Sequence, residues 1–207
     1  MAEKEEFFDE KILEYRRRAR KEKFSSLETG MYIKDELVQF ERREIFQNKM
    51  SIMLPASFVK MPSNLAKIKY ISEQRPQMIW TSLDTTVNMG FSMLDVTVYP
   101  EQIKVLQGQA KEVLKRLNPA FAFYESKIEE DRHLGWFEFK SYGIDENVYN
   151  LMFISIVEEK MTNGVFNCKY NDALEWRDAA RQMMYSIRDI SGEDHNDERT
   201  KNNSGTV

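Results

Sequence analysis

Hydrophobic and polar residues alternate over much of the chain with the two-residue period of half-buried β-strands. In residues 87–94, Val87, Met89, Phe91 and Met93 fall on one side, with small or polar residues between them. The same reading predicts strands over 36–46, 49–54, 77–82, 121–129, 134–142, 147–157 and 161–170. Short connections between the last four strands predict antiparallel neighbours, because a parallel pair needs a long crossover.

Helical spacing replaces this alternation in three long segments. Residues 100–117 follow Pro100 and carry one apolar stripe, and residues 172–190 carry another that includes Trp176, Ala180 and Met183. A third helix is predicted over 4–23, with Phe8, Ile12, Tyr15 and Ala19 on one face, and a short helix over 63–70. Two amphipathic helices and a largely antiparallel sheet predict an α+β fold, a layered sandwich with an extra N-terminal helix.

The chain divides into three predicted parts. Residues 1–35 form a charged helix and a connector, 36–190 the sandwich domain, and 191–207 a disordered tail without an apolar residue before Val207. A domain of about 150 residues buries enough surface to fold without a metal or a disulfide.

Charge narrows the classes of partner. The net charge of −4 argues against general nucleic-acid binding, although basic residues cluster over 15–23 after an acidic opening. That cluster is typical of a solvated helix face, while contact with a partner, an anionic membrane or nucleic acid stays open. The 4–23 helix is expected to dock on the domain or on a second copy, which would make a homodimer.

The single cysteine, Cys168, indicates a reducing compartment, and the charged N-terminus lacks the apolar core of a secretory signal. No apolar run is long enough for a membrane span. We therefore expect a cytoplasmic location.

Candidate chemistry is sparse. Of the two histidines, His133 falls in a polar turn and His195 in the predicted tail, and Cys168 is expected to be a buried thiol. No catalytic, metal-binding or cofactor-binding residues are predicted, and no cofactor is expected.

Three residues are candidate partner contacts. Arg75 precedes Trp80 in a polar stretch, and Trp136 and Phe137 should point to opposite faces of a sheet that two long helices do not fully cover. An aromatic and methionine-rich face left open would form a groove for a partner, with Arg75, Trp80 and Trp136 contacting it. The alternative for Arg75 is a salt bridge that holds its loop.

The strand that ends in Leu54-Pro55 (Met50 to Lys60, MSIMLPASFVK), together with the order of elements over 36–190, resembles the PsbP/DcrB-like superfamily. Residues 72–77 (SEQRPQ) and 134–142 (LGWFEFKSY) also resemble a group of uncharacterised bacterial proteins. The superfamily includes bacterial lipoproteins, chaperones of toxin secretion, a Ran-binding import factor and photosystem accessory proteins. The resemblance implies an α/β/α sandwich that binds partners without catalysis, although the chain lacks the lipoprotein cysteine of exported members.

The functional prediction is therefore a non-enzymatic protein-interaction module, a chaperone or adaptor for a secreted or membrane-associated protein. The alternatives are an enzyme or small-ligand binder with a site built from scattered polar residues, and binding of the basic helix to an anionic membrane or nucleic acid.

Overall fold

A computed structural model of the chain describes residues 2–143 and 146–192, with side chains from residue 10 onward. The helices are α1 (Ala2–Lys23), α2 (Ser63–Lys69), α3 (Ile103–Leu117) and α4 (Ala173–Tyr185). The strands are β1 (Ser25–Ser26), β2 (Gly30–Ile33), β3 (Glu36–Val38), β4 (Phe40–Ile45), β5 (Met50–Pro55), β6 (Val59–Lys60), β7 (Met78–Thr81), β8 (Asn88–Thr97), β9 (Ala122–Glu129), β10 (Leu134–Tyr142), β11 (Asn147–Val157), β12 (Lys160–Lys169) and β13 (Arg188–Asp189).

The centre of the molecule is a seven-stranded antiparallel sheet in the order β6-β7-β8-β12-β11-β10-β9. Two smaller sheets, β13-β5-β4 and β1-β2-β3, accompany it. The last four long strands are therefore antiparallel neighbours, as their short turns predict, and the α+β fold class is confirmed.

Each face of the large sheet packs against a different layer. Leu151 and Phe153 of β11 join the main core with α4 and β5. Ile154, the residue after Phe153, points the opposite way and packs with Ile103 of α3. Both sets are buried, so β11 is covered on both sides, which accounts for its apolar sequence.

The expectation of an open aromatic face is wrong for the residues that suggested it. Trp136 and Phe137 are each 1% exposed, and Phe139 is also buried. Layers on both sides of the sheet cover them, since β5 and α4 add to the main core on one face. On the other face, the Lys111 ammonium lies 5.9 Å from the Phe137 ring.

Two segments depart from the sequence prediction. The connector predicted over 24–35 contains β1 and β2, and its apolar residues Leu27, Met31 and Ile33 are buried in the main core. The helix predicted over 172–190 ends at Tyr185, after which β13 pairs with β5 through Arg188 and Asp189. Apolar spacing continued past Tyr185 and hid this change to strand.

The N-terminal helix is present, and two ion pairs near its C-terminal end join it to the rest of the protein. Arg17 pairs with Asp35 at 3.1 Å, and Lys21 pairs with Glu175 of α4 at 3.0 Å. Ile12, Leu13 and Tyr15 are exposed, and Phe8 lies outside the described side chains. The disorder predicted for the tail, like His195, concerns residues that lie mostly beyond the described range.

Candidate functional site

Arg75 holds its own loop. Its Nη1 donates to the carbonyl oxygens of Ser72 at 3.0 Å and Tyr70 at 3.5 Å. The loop is thus held by hydrogen bonds to the backbone, where the sequence suggested a salt bridge. A contact between Arg75 and a partner stays a prediction.

Trp80 is half-buried on the face of β7 that packs against the main core. The guanidinium carbon of Arg43 lies 5.0 Å from its ring centroid, an arrangement that favours a cation–π contact. Its Nε1 is buried without a hydrogen-bond partner among the described residues. A role of Trp80 in partner binding likewise stays a prediction.

Trp136 lies inside the protein and belongs to a hydrogen-bonded chain. Its Nε1 donates to the Tyr185 hydroxyl at 3.1 Å, and that hydroxyl donates to Glu129 at 2.6 Å. The hydrogen bond from Tyr185 is the main reason that the pKa of Glu129 is lowered. With its ring 1% exposed, Trp136 would reach a partner only if the core opened, so its predicted role is the least accessible of the three.

The most unusual polar cluster lies elsewhere, where β9 carries a bulge. Ser126 is opposite Phe137 and Phe123 is opposite Phe139, so Tyr124 and Glu125 together face the single residue Glu138. A bulge changes the direction of side chains on its strand. Both extra side chains consequently reach α4 and the segment before it, since Glu125 contacts Arg177 and Tyr124 contacts Tyr170.

Glu138 is a buried carboxylate held by two arginines of α4. Its side chain is 1% exposed, and both of its oxygens accept N–H groups from Arg177 at 2.7–3.1 Å. The Oε1 atom also accepts two N–H groups from Arg181 at 2.5–2.8 Å. Glu125 adds a second carboxylate, 2.6 Å from Arg181. The two arginines are one helical turn apart and therefore reach the same carboxylate.

Hydrogen bonds stabilise the charged forms of this cluster. The hydrogen bond to Glu138 is the main reason that the pKa of Arg177 is raised, and the one from Arg181 lowers the pKa of Glu125. A buried carboxylate satisfied in this way fixes α4 against β10 and provides a rigid base for neighbouring side chains.

Above this base lies a surface that we call the tyrosine patch, formed by Tyr124, Tyr142, Tyr170 and Leu174. Leu174 is 87% exposed, and Tyr124 and Tyr142 are nearly half exposed. The hydroxyls of Tyr124 and Tyr170 are 2.9 Å apart, and this hydrogen bond is the main factor that raises the pKa of Tyr124 to about 12.

The Lys140 ammonium lies between two rings of the patch. It is 4.3 Å from the centroid of Tyr170 and 5.0 Å from that of Tyr142. These cation–π contacts hold the tyrosines in place without hiding them from solvent.

A cavity of about 170 Å³ opens beside the patch. It is lined by Tyr124, Glu138, Tyr149, Tyr170, Ala173, Leu174 and Arg177. Tyr149 is 2% exposed, and its hydroxyl is buried beside the Glu138 carboxylate without a well-formed hydrogen bond to a described residue. Burial is the main cause that raises the pKa of Tyr149, and the charge of Glu138 and the closeness of its carboxylate to the hydroxyl add to it.

Other candidate groups lie apart from this cavity. His133 is exposed in the turn before β10, and Cys168 is buried, which raises the pKa of its thiol to about 12. Within residues 2–143 and 146–192, no group of three His, Cys, Asp or Glu residues could hold a metal ion. No helix in that part of the chain is long and apolar enough to cross a membrane.

The sequence contained one signal for the buried cluster. Glu138 has the same strand phase as the buried residues Leu134 and Trp136, so a charge falls at a core position. A charge at such a position requires a partner of opposite sign. That partner lies 39 residues further along, and neither Arg177 nor the bulge in β9 could be located without the tertiary fold.

Comparison with solved structures supports the sequence-based fold assignment. Cyanobacterial PsbP from Synechocystis matches with a TM-score of 0.55 and 7% sequence identity, over 74% of this chain and 94% of that one. The chain has a PsbP-like fold. The Ran-binding protein Mog1p of Saccharomyces cerevisiae also matches, with a TM-score of 0.51 and 9% identity, over 75% of this chain and 98% of Mog1p.

At these identities the likeness concerns the fold alone. No family model matches the sequence, and the comparison with curated proteins finds no match. The predicted resemblance to PsbP-like proteins is confirmed at the level of fold, without transfer of any functional residue.

Proposed function

We propose that the chain is a non-enzymatic protein-interaction module, an adaptor or chaperone acting in the cytoplasm on a secreted or membrane-associated protein. The tyrosine patch is the surface that contacts the partner. The single observation that carries this proposal is Leu174, which is 87% exposed beside three tyrosines.

The composition of the patch supports this role. Tyrosine and arginine are enriched among residues that dominate binding energy at protein interfaces, because they combine large apolar area with polar groups. Arg177 borders the cavity next to Leu174, so the patch combines both residue types.

The position of the patch supports it as well. Tyr124 lies on β9, the last strand of the large sheet, and residues 124–127 of that strand are exposed. An edge strand offers backbone hydrogen bonds to an added chain. A partner could therefore bind the edge of β9 and place its side chains on the tyrosines.

The PsbP-like fold is compatible with such a role, since one protein that shares it, Mog1p, is described as Ran-binding. We extend to this chain only the general class of protein interaction, and no particular partner.

Two equally exposed apolar residues allow a matched test. Leu174 and Ile71 are each 87% exposed, so replacing either by aspartate should leave the fold intact. In co-purification from the native cells, Leu174→Asp should reduce recovery of the main partner by roughly tenfold or more, as expected for a central interface residue. Ile71→Asp should retain it. Equal recovery with the two variants would refute the proposed surface.

A second candidate is self-association through α1. The described part of this helix leaves Ile12, Leu13 and Tyr15 exposed, and a helix of this length gains stability from packing against a partner. In the sequence of α1, acidic residues predominate in the first half and basic residues in the second. Two copies packed antiparallel would place opposite charges together, so we propose a second copy as the occupant.

Sedimentation at increasing protein concentration tests this second candidate. Tyr15→Glu should keep the protein monomeric where the wild type dimerises, and Tyr99→Glu, an exposed site far along the chain, should not. A wild-type protein that stays monomeric at all concentrations would rule out the dimer.

A further inference from the structure

The cavity beside the tyrosine patch contains a buried polar group without a partner. The Tyr149 hydroxyl makes no well-formed hydrogen bond to a described residue, although the residue is 2% exposed and the Glu138 carboxylate is its neighbour. A buried hydroxyl without a partner is costly, and such groups often mark a site that a ligand completes.

Other hydrogen-bond donors belong to residues that line the cavity. The Nε and Nη2 atoms of Arg177 bind carboxylates, whereas its Nη1 has no partner among the described residues. Tyr124 and Tyr170 share one hydrogen bond, so one of their two protons is not used in it. The Glu138 oxygens already accept several N–H groups.

The charges around the cavity disfavour a cationic ligand. The Lys140 ammonium already occupies the ring of Tyr170 at 4.3 Å. Together with Arg177 and Arg181 it gives three positive charges, against two from Glu125 and Glu138. A cavity with free donors and a small excess of positive charge favours an anionic oxygen acceptor.

The size of the cavity limits the ligand. Its volume of about 170 Å³ is close to that of a cavity that holds one benzene molecule, about 150 Å³. A carboxylate with one or two methylene groups fits this space, whereas a nucleotide or a long acyl chain does not.

We infer that this cavity receives the carboxylate of an aspartate or glutamate side chain of the protein partner. The inference rests on the proposed function, because Leu174 and Tyr124 at the rim would contact the residues that flank the inserted side chain. In the complex, the Tyr149 hydroxyl and Arg177 Nη1 donate to the carboxylate oxygens.

A titration of tyrosine-labelled protein with small probes tests the inference. The probes are glutamate, glutamine and lysine, each with an acetylated N-terminus and a methylamide C-terminus, and free propionate. Signals of Tyr149, assigned by their loss in Tyr149→Phe, should shift saturably with blocked glutamate. Tyr149→Phe should bind it at least tenfold more weakly, because a hydrogen bond to a charged group is lost. Tyr99→Phe, which changes an exposed tyrosine outside the cavity lining, should bind like the wild type.

Several results would overturn the inference. They are the absence of saturable shifts with blocked glutamate, equal binding of blocked glutamine or lysine, and unchanged affinity of Tyr149→Phe. Propionate binding as tightly as blocked glutamate would indicate a free metabolite and would contradict a partner side chain. The test is separate from that of the proposed function. Leu174→Asp can abolish recovery of the partner while blocked glutamate fails to bind, which refutes only this inference. Blocked glutamate can also bind while Leu174→Asp leaves recovery unchanged, which refutes only the proposed surface.

Discussion

Replacing Tyr149 by phenylalanine should make the isolated protein more stable. The change removes one hydroxyl that is buried without a hydrogen-bond partner among the described residues, and it keeps the ring that packs against Phe166 at 6.3 Å. An unsatisfied buried hydroxyl costs about 1–3 kcal/mol, so the free energy of unfolding should rise by about 1 kcal/mol or more. For a chain of this length, 1 kcal/mol corresponds to a rise of about 2–4 °C in melting temperature.

Tyr185→Phe provides the matched control, because it removes the same group from a hydroxyl that is fully used. Tyr185 accepts a hydrogen bond from Trp136 and donates one to Glu129. Its loss should lower the free energy of unfolding by about 1–3 kcal/mol, since Trp136 Nε1 is left unpaired. Urea and thermal unfolding of the two variants and the wild type give the comparison. If Tyr149→Phe destabilises the protein as much as Tyr185→Phe, the Tyr149 hydroxyl has a structural partner and our argument about the cavity fails.

Three further predictions concern the base of the site and the core. Arg181→Leu should lower the free energy of unfolding in urea by about 3 kcal/mol, because buried Glu138 then keeps only Arg177 as a partner. A change near zero would contradict a structural role for the ion pair between Arg181 and Glu138. Gly164→Ala should lower the free energy of unfolding by about 1–3 kcal/mol, since an added methyl group would collide with the Phe153 ring. Gly108→Ala, with open space around it in α3, should raise it by about 0.5–1 kcal/mol. Equal effects of the two variants would contradict the packing described around Gly164. The hydrogen bond from Tyr185 lowers the pKa of Glu129 in the folded protein. The stabilisation that ionised Glu129 provides should therefore be complete above about pH 4.5 and be lost as the pH falls through this lower pKa. Glu129→Gln should accordingly make the free energy of unfolding in urea depend less on pH in the acid range.

The sequence was sufficient for the parts of the fold that local periodicity controls. The strands over 121–170 were predicted because their side chains alternate and their connections are short, and the structure pairs them in that order. The strands predicted over 36–46 and 49–54 are joined by a turn in which Gln47 and Asn48 adopt positive φ values, and β4 pairs with β5 across it.

Elements with little periodicity of their own were not predictable. β1 and β13 have two residues each, and they form because tertiary pairing with β2 and β5 satisfies their backbone groups. The burial of Trp136 was also not predictable from local sequence. It depends on α4 and β5, which are distant from Trp136 along the chain but adjacent to it in the core.

The candidate site depended almost wholly on tertiary structure. Its carboxylate lies on β10, its arginines on α4 and its outer tyrosine on a bulge in β9, so no local spacing connects them. Arg75 and Trp80 were singled out for residue types common at interfaces, and the same chemical argument applies to the tyrosines and Arg177 once the fold places them together.

Amide hydrogen exchange of the chain with and without its co-purified partner tests the central claim most directly. If the tyrosine patch is the interface, binding should slow exchange at residues 124–127 of β9 and at the start of α4, where Leu174 lies. Exchange around Ile71 should stay unchanged. Slower exchange at the loop of Ile71 or along α1, with no change at β9 and α4, would contradict the assignment of this surface.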